Sequence, residues 1–461
     1  MPSYGPIPMQ TYEMAVERLY ALGHELHQTA ADKFDLEHMR TLSRAFGDPW
    51  KKSACILVAG TNGKGSTSST LASILQVAGY KTGLYTSPHL IRVNERIRVN
   101  GELISDDQFV SAYSTVQEVS GELVAKGELP NLPSFFETLT AMAFVHFARV
   151  GVEVAVLEVG MGGRLDATNV VEPALSIITD IDLDHQKYLG NTIGEIAREK
   201  AGIMRKGVPV VMLPQHPQAN DVLGKYAIEV GADAISASHN MAAVSPRAEE
   251  MVEQTTTKMS FRLRVMGEEV EIETPLVGRH QVRNLALAIT GAEVLAAKGF
   301  HITASDVAKG ARETHWPGRF QMLEATNDRP ALVFDVAHNP SGAWALRSVL
   351  NERLGERPRI LVFGVMRDKA VRDIVQILFP TADKVVVTTT EHNPRATPTA
   401  ELAELAREQS AEVEEAADVK AALEKAFELA RTIPPNHDGS PVVVICGSIY
   451  IVGDAMKLLL S

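Results

Sequence analysis

The 461 residues are 45% hydrophobic and 22% charged with a formal charge of -12, a length that implies two or three domains and a balance that excludes a basic nucleic-acid-binding surface. Cys55 and Cys446 lie in apolar runs without ligand spacing and read as core residues in a reducing compartment. The N-terminus lacks an apolar signal segment and no apolar run reaches membrane length, so a cytoplasmic protein with neither membrane nor nucleic-acid partner is expected.

Apolar runs alternate with helical patterns along most of the chain. The first strands expected are "CILVAG", "KTGLYTS", "VEVAVLEVG", "ALSIITDID" and "VPVVML", with helices over 64–78, near 106–120, over 134–149 and over 192–201. Near-continuous β-branched runs imply strands buried on both faces, hence a mostly parallel sheet flanked by helices. Residues 257–273 alternate around a glycine-containing turn and predict an antiparallel hairpin, followed by the helix "HQVRNLALAITGAEVLAAKG", stopped by Gly299. A second series begins after "HWPGRFQML", with strands "ALVFDVA", "RILVFGVM", "KVVVTTT" and "PVVVICGS" and helices near 341–354, 370–378, 399–409 and 419–431. The acidic stretch "AEVEEAADVK" reads as a solvated helix face. The expected fold class is α/β: a P-loop domain over 1–316 and a smaller Rossmann-like domain over 317–461, divided where Pro317 and Gly318 interrupt the pattern.

Residues 60–66 read "GTNGKGS" between an apolar strand and a helix with small N-terminal residues. A Walker A loop is G-x-x-x-x-G-K-[ST]; here Val58 stands at the first glycine and Gly65 separates Lys64 from Ser66. The physics of phosphate binding survives. Glycines allow close backbone approach, the helix start presents free N–H groups, Lys64 supplies a cation, and Ser66 supplies a hydroxyl for magnesium. In a parallel sheet, ligands gather beyond the carboxyl ends of the strands. Ser87, Glu158, Asp180, Asp182, Asp184 and His185 fall at such ends and suggest a divalent-metal platform. Each has an ordinary alternative: Ser87 precedes a proline and suits a turn, His185 suits a structural histidine, and the aspartates suit turns and helix entry. A carboxylate at Glu158, ending a buried strand, requires a partner or a cation.

"GTNGKGS", "YTSPHL", "LEVGMGGRLDATN", "DLDHQKYLG", "REKAGI", "HWPGRF" and "FDVAHNP" resemble, in this order, the folylpolyglutamate and dihydrofolate synthases of the Mur ligase superfamily. The resemblance implies an enzyme that uses ATP to phosphorylate a carboxylate of dihydropteroate or a reduced folate, then joins it to L-glutamate. It assigns Thr61, Asn62, Gly63, Lys64, Gly65 and Ser66 to the ATP phosphates. Ser87, Glu158 and His185, with Ser66, are assigned to magnesium. It also marks Lys200 as a lysine carboxylated by carbon dioxide, so that Lys64, His185 and Lys200 form the expected catalytic set. Composition alone reads Lys200 as a cation complementing a helix C-terminus. Asn284, Arg319 and Asp335 match nucleotide contacts, and His338 matches a substrate position. Asn339-Pro340 equally suits a helix start. In "PSFFETLT", Phe135, Phe136 and Glu137 match a pterin-contacting segment, although Ser134 and Glu137 also form a capping box. Asp166 and Asn169 face substrate or metal. Gln186 and Lys187 beside His185 depart from relatives, which leaves any acidic helper there in doubt.

A monomer that closes on ATP and folate is expected. The nearest rival is a cell-wall Mur ligase, against which stand the mere 59 residues ahead of Gly60. A P-loop GTPase or nucleotide-binding regulator lacks its N-K-x-D stretch here, and a phosphotransferase that stops at the phosphorylated product is the remaining alternative.

Overall fold

The computed structural model describes residues 11–23, 36–241, 251–254, 257–390, 393–409 and 412–460. The chain divides into two compact units: Met1–Ser87, Val93–Ser238 and Leu287–Gly310 form the first, and Pro88–Arg92, His239–Ala286 and Ala311–Ser461 the second.

The first unit is built on β1 (Ala54–Ala59), β2 (Thr82–Tyr85), β3 (Ile97–Val99), β4 (Glu102–Leu103), β5 (Val154–Glu158), β6 (Pro173–Ile178), β7 (Pro209–Met212) and β8 (Asp233–Ser236). They form one sheet in the order β4-β3-β2-β5-β1-β6-β7-β8, in which only β3 runs opposite to the rest, pairing antiparallel with both β2 and β4. The central strands are buried because helices cover them. Lys64–Val77 packs on β5 and β2, and Phe135–Val150 also contacts β2. The helix starts expected at Ser134 and Thr192 are both closed by capping boxes, with Glu137 and Glu195 reaching back. Register aligns Val58 with Glu158 on one side and with Ile177 on the other, and Tyr85 with Leu157. The carboxyl ends of β2, β5, β1 and β6 therefore share one edge of the sheet.

The second unit holds two sheets. β9 (Met251–Gln254), β10 (Met259–Val265) and β11 (Glu268–Thr274) are antiparallel, in the order β11-β10-β9. The hairpin is as the alternation predicts; β9 is an added strand. β12 (Gln321–Leu323), β13 (Ala331–Phe334), β14 (Arg359–Phe363), β15 (Lys384–Val387), β16 (Val413–Glu415) and β17 (Val442–Cys446) form the other, in the order β12-β13-β17-β14-β15-β16. Only β12 runs antiparallel. Residues Val413–Glu415 correct the reading of "AEVEEAADVK" as a helix face: they pair with Val385–Val387 as an edge strand, and the helix begins at Val419. Acidic side chains suit a strand edge because they repel a further strand. Both cysteines are buried and free, and among the described residues no helix is long and apolar enough to cross a membrane.

Two glycines separate a steric requirement from a backbone preference. A Cβ on Gly60 would lie 1.7 Å from the Thr179 hydroxyl, whereas one on helical Gly121 meets nothing within 4 Å. Gly60→Ala is expected to destabilise by about 1–3 kcal/mol, and Gly121→Ala to stabilise by about 0.5–1 kcal/mol. Urea unfolding of the two variants checks the opposite signs.

Candidate active site

The phosphate loop leaves β1 at Gly60 and enters the helix at Lys64. Val58, at the first glycine of a Walker A loop, is fully buried inside β1, so the loop proper begins two residues later. Gly63 is the helix N-cap with φ +91°, a conformation that favours glycine, and provides no side-chain cap. The first helical bond runs from Thr67 N–H to Gly63 O, so the N–H groups of Lys64, Gly65 and Ser66 have no intrahelical acceptor. Such free N–H groups at a helix start suit an anion. By contrast, Thr61 and Asn62 donate their N–H groups to Asp180 O at 2.8 and 3.2 Å. The Thr61 hydroxyl donates to Asp182 O and accepts from Asp182 N–H, both at 3.0 Å. Half of the loop is thus pinned to the end of β6, and the other half presents its donors. The Lys64 amine donates to Thr61 O at 3.1 Å, folding over the loop.

On the neighbouring strands, Glu158 is 4% exposed and accepts from Ser87 N–H at 3.2 Å. The ends of β5 and β2 are therefore in direct contact. His185 has φ +50°, a left-handed conformation costing a non-glycine residue on the order of 1–3 kcal/mol. It opens the short helix Gln186–Leu189, its N–H donates to Asp184, and its Nε2 lies 3.8 Å from the Asp184 carboxylate. Among the described residues no three His, Cys, Asp or Glu side chains gather as a metal cluster.

Lys200 lies at the end of the helix Ile193–Ala201, 4% exposed, with its amine 2.7 Å from Gly60 O. It reaches into the protein rather than complementing the helix end. Burial, reinforced by the Lys64 charge and opposed by Asp184 and Asp166, lowers its pKa from 10.5 to about 7. Lys200 thus touches the same residue at which the phosphate loop leaves its strand.

The substrate candidates part company. Phe135 is 3% exposed, stacks on Tyr20 with ring centroids 5.5 Å apart, and carries the Arg96 guanidinium over its ring. It is a core residue. Phe136 is half-buried and packs against Gly160, where a Cβ would come within 2.5 Å of its ring. Asp166 holds the same turn. One carboxylate oxygen accepts from Gly160 and Met161 N–H, both at 3.0 Å, and the other from the Thr168 N–H and hydroxyl. Burial raises the Asp166 pKa, against which these donors act. Asn169 is similarly engaged, with Arg164 O, Gly202 O and Arg205. Glu137 closes its capping box and meets His38 Nδ1 at 2.9 Å. Burial would raise its pKa, but the His38 and Ser134 donors outweigh it and hold the carboxyl below its ordinary value.

The remaining candidates belong to the second unit. Asp335 at the end of β13 accepts from Phe320 and Ala337 N–H, one on each oxygen, both at 2.9 Å. Burial raises its pKa, partly offset by Arg319. The carboxylate thereby clamps the "WPGRF" corner, while Arg319 donates to Gly318 O at 3.1 Å. His338 Nδ1 donates to Val336 O, Asn339 caps the helix Pro340–Leu354, and buried Asn284 donates to Gln281 at 2.9 Å.

The Mur ligase middle-domain model matches residues 58–292, and the Mur ligase glutamate ligase domain model matches 318–449. A dihydrofolate synthase/folylpolyglutamate synthase of Bacillus subtilis is 34% identical over 92% of this chain and 94% of its own length. A folylpolyglutamate synthase of Lacticaseibacillus casei is 34% identical over 93% and 95%. The chain belongs to the folylpolyglutamate/dihydrofolate synthase family of Mur ligases. A Mycobacterium tuberculosis folylpolyglutamate synthase, solved with ADP and AMPPCP, superposes with a TM-score of 0.84 at 32% identity, covering 97% of this chain and 98% of that one.

For a Mur-type ligase the donor set of the first unit is chemically apt. Ser66, Ser87 and Glu158 offer the hard oxygens magnesium prefers, and His185 a nitrogen; magnesium characteristically completes its shell with water and phosphate rather than with protein carboxylates. Sequence reasoning missed His38, whose contact with Glu137 spans 99 positions and has no local signal.

Lys200 gives the site a pH signature. Between about pH 7 and 10.5 the unfolded chain keeps a proton on Lys200 that the folded chain has released. Stability contributed by this group therefore rises with pH across that window. Lys200→Met is expected to flatten the rise, read as the Tm difference between variant and unaltered chain from pH 7 to 9.5; parallel Tm profiles contradict it.

Proposed function

We propose that this ligase transfers the γ-phosphoryl group of ATP to a carboxylate of dihydropteroate or a reduced folate, and couples the resulting acyl phosphate to the amine of L-glutamate. The observation that supports this most directly is the meeting of the phosphate loop, Glu158 and Lys200 at one sheet edge, in a chain of this family.

A carboxylate is a poor electrophile, and phosphorylation turns one of its oxygens into a leaving group. The N–H groups of Lys64, Gly65 and Ser66 orient the nucleotide phosphates, and Lys64 moves from Thr61 O onto them to neutralise charge as the phosphoryl group passes. Magnesium, held by Ser66, Ser87, Glu158 and His185, would supply further neutralisation of phosphate charge. Lys200, with its pKa near 7, is substantially neutral at physiological pH, and a neutral amine adds carbon dioxide. Addition of carbon dioxide with release of one amine proton would leave an anionic carbamate, which would be attracted to Lys64 and add an anionic oxygen to the donor set. Phe136 over the Gly160 turn is the ring available to a flat pterin, and Asp166 keeps that turn in place. Asn284, Arg319, Asp335 and His338 are the second unit's candidates for nucleotide and amino acid.

Incubation with ATP, magnesium, L-glutamate and either dihydropteroate or tetrahydrofolate, followed by mass spectrometry, tests the reading. A product heavier by one or more glutamyl units is expected in at least one arm, and the arms distinguish dihydrofolate formation from chain extension. Lys64→Met is expected to lower kcat/KM by at least about a hundredfold. ATP consumption with no glutamyl product in either arm contradicts the proposal.

A further inference from the structure

Beyond the residues that face a ligand, the phosphate loop depends on the shelf it rests on, and that shelf has a support of its own. The loop is pinned at Asp180 and Asp182. Ile181 lies between them. Its N–H lies beyond the last paired residues of β6 and β7, Ile178 and Met212. β7 itself ends at Met212, ahead of Pro214 and Gln215. The acceptor for Ile181 N–H comes instead from a side chain: Gln215 Oε1, at 2.6 Å.

Gln215 is itself fixed from behind. Asn220, on the helix Pro217–Val230, accepts from Gln215 N–H at 3.0 Å and donates to Gln215 O at 2.9 Å. One amide side chain thus satisfies both backbone groups of Gln215 and orients its stem. The other atom of the Gln215 carboxamide, Nε2, is buried with no hydrogen-bond partner among the described residues. A buried unpaired donor is costly, and the side chain stays in place nonetheless, which assigns its value to the oxygen. The amide orientation is also unambiguous, because only an acceptor can face Ile181 N–H.

We propose that Gln215 is a positioning residue for ATP: with Asn220 as its anchor, it holds the Asp180–Asp182 shelf at the height at which the phosphate loop presents the Lys64, Gly65 and Ser66 N–H groups. The proposal rests on the loop holding ATP. It makes a specific claim about residues far along the chain from the phosphate loop, acting through a contact that spans 34 positions. Removing the acceptor leaves Ile181 N–H unsatisfied, so the shelf shifts to find water, and the loop moves with it.

The test uses Gln215→Met, which keeps the length of the side chain and loses the acceptor, and Asn220→Ala at an exposed helical position. Steady-state kinetics and amide hydrogen exchange are measured on the full chain. Gln215→Met is expected to raise KM for ATP about tenfold with kcat within about threefold, and to speed exchange at both 180–182 and 60–63. Asn220→Ala is expected to change both readouts in the same direction and less. The double variant is expected to match Gln215→Met, since both residues act through one contact. Unchanged KM for ATP, or faster exchange confined to 213–220, overturns the proposal even if Tm falls. Absence of saturable ATP binding by the unaltered chain would instead contradict the ligase reading, so the two failures are distinct.

Discussion

Parallel pairing is the constraint on which the first unit depends. Because β2, β5, β1 and β6 run the same way and in register, whatever follows each strand is delivered to one edge. Ser87, Glu158, the phosphate loop and the Asp180–His185 loop are far apart in the chain and become neighbours for that reason alone. The edge is then refined by main-chain hydrogen bonds. Asp180 O takes two N–H groups of the phosphate loop, and those left over are the ones a phosphate can use. Rigidity and receptivity are divided within one seven-residue stretch.

Lys200 shows how the same edge tolerates an expensive group. An amine withdrawn from water beside another lysine would ordinarily be excluded from a core. Here it is hydrogen-bonded to Gly60 O and loses its proton near neutrality. Its placement at the root of the phosphate loop puts its charge state under the influence of Lys64. The acidic residues nearby have distinct duties. Glu158 touches Ser87, while Asp166 is consumed by the glycine turn.

Much of this was legible beforehand, for physical reasons that differ between elements. The strand–loop–helix at 54–77 combines three local signals (β-branched residues, glycines and a helix start) and needs no distant information. Capping boxes at Ser134 and Thr192 are equally local. The acidic edge strand Val413–Glu415 was not legible, because three residues carry too little periodicity and its identity comes from pairing with β15. Neither was the choice between Phe135 and Phe136, adjacent aromatics at a helix start whose fates are decided by Tyr20 and Gly160. Lys200 was marked only by family resemblance, since its helical position alone suggests a surface cation. Asp335 was marked by family resemblance, but its two backbone bonds to Phe320 and Ala337 depend on how a distant corner folds back.

The central claim is that this edge energises a carboxyl group by moving a phosphoryl group onto it. Dihydropteroate or tetrahydrofolate labelled with oxygen-18 in the carboxylates that accept glutamate tests it directly. The account predicts that each amide bond formed leaves one labelled oxygen in the inorganic phosphate released. Phosphate free of label, produced at the rate of amide formation, would mean that water took the phosphoryl group and that no acyl phosphate was made.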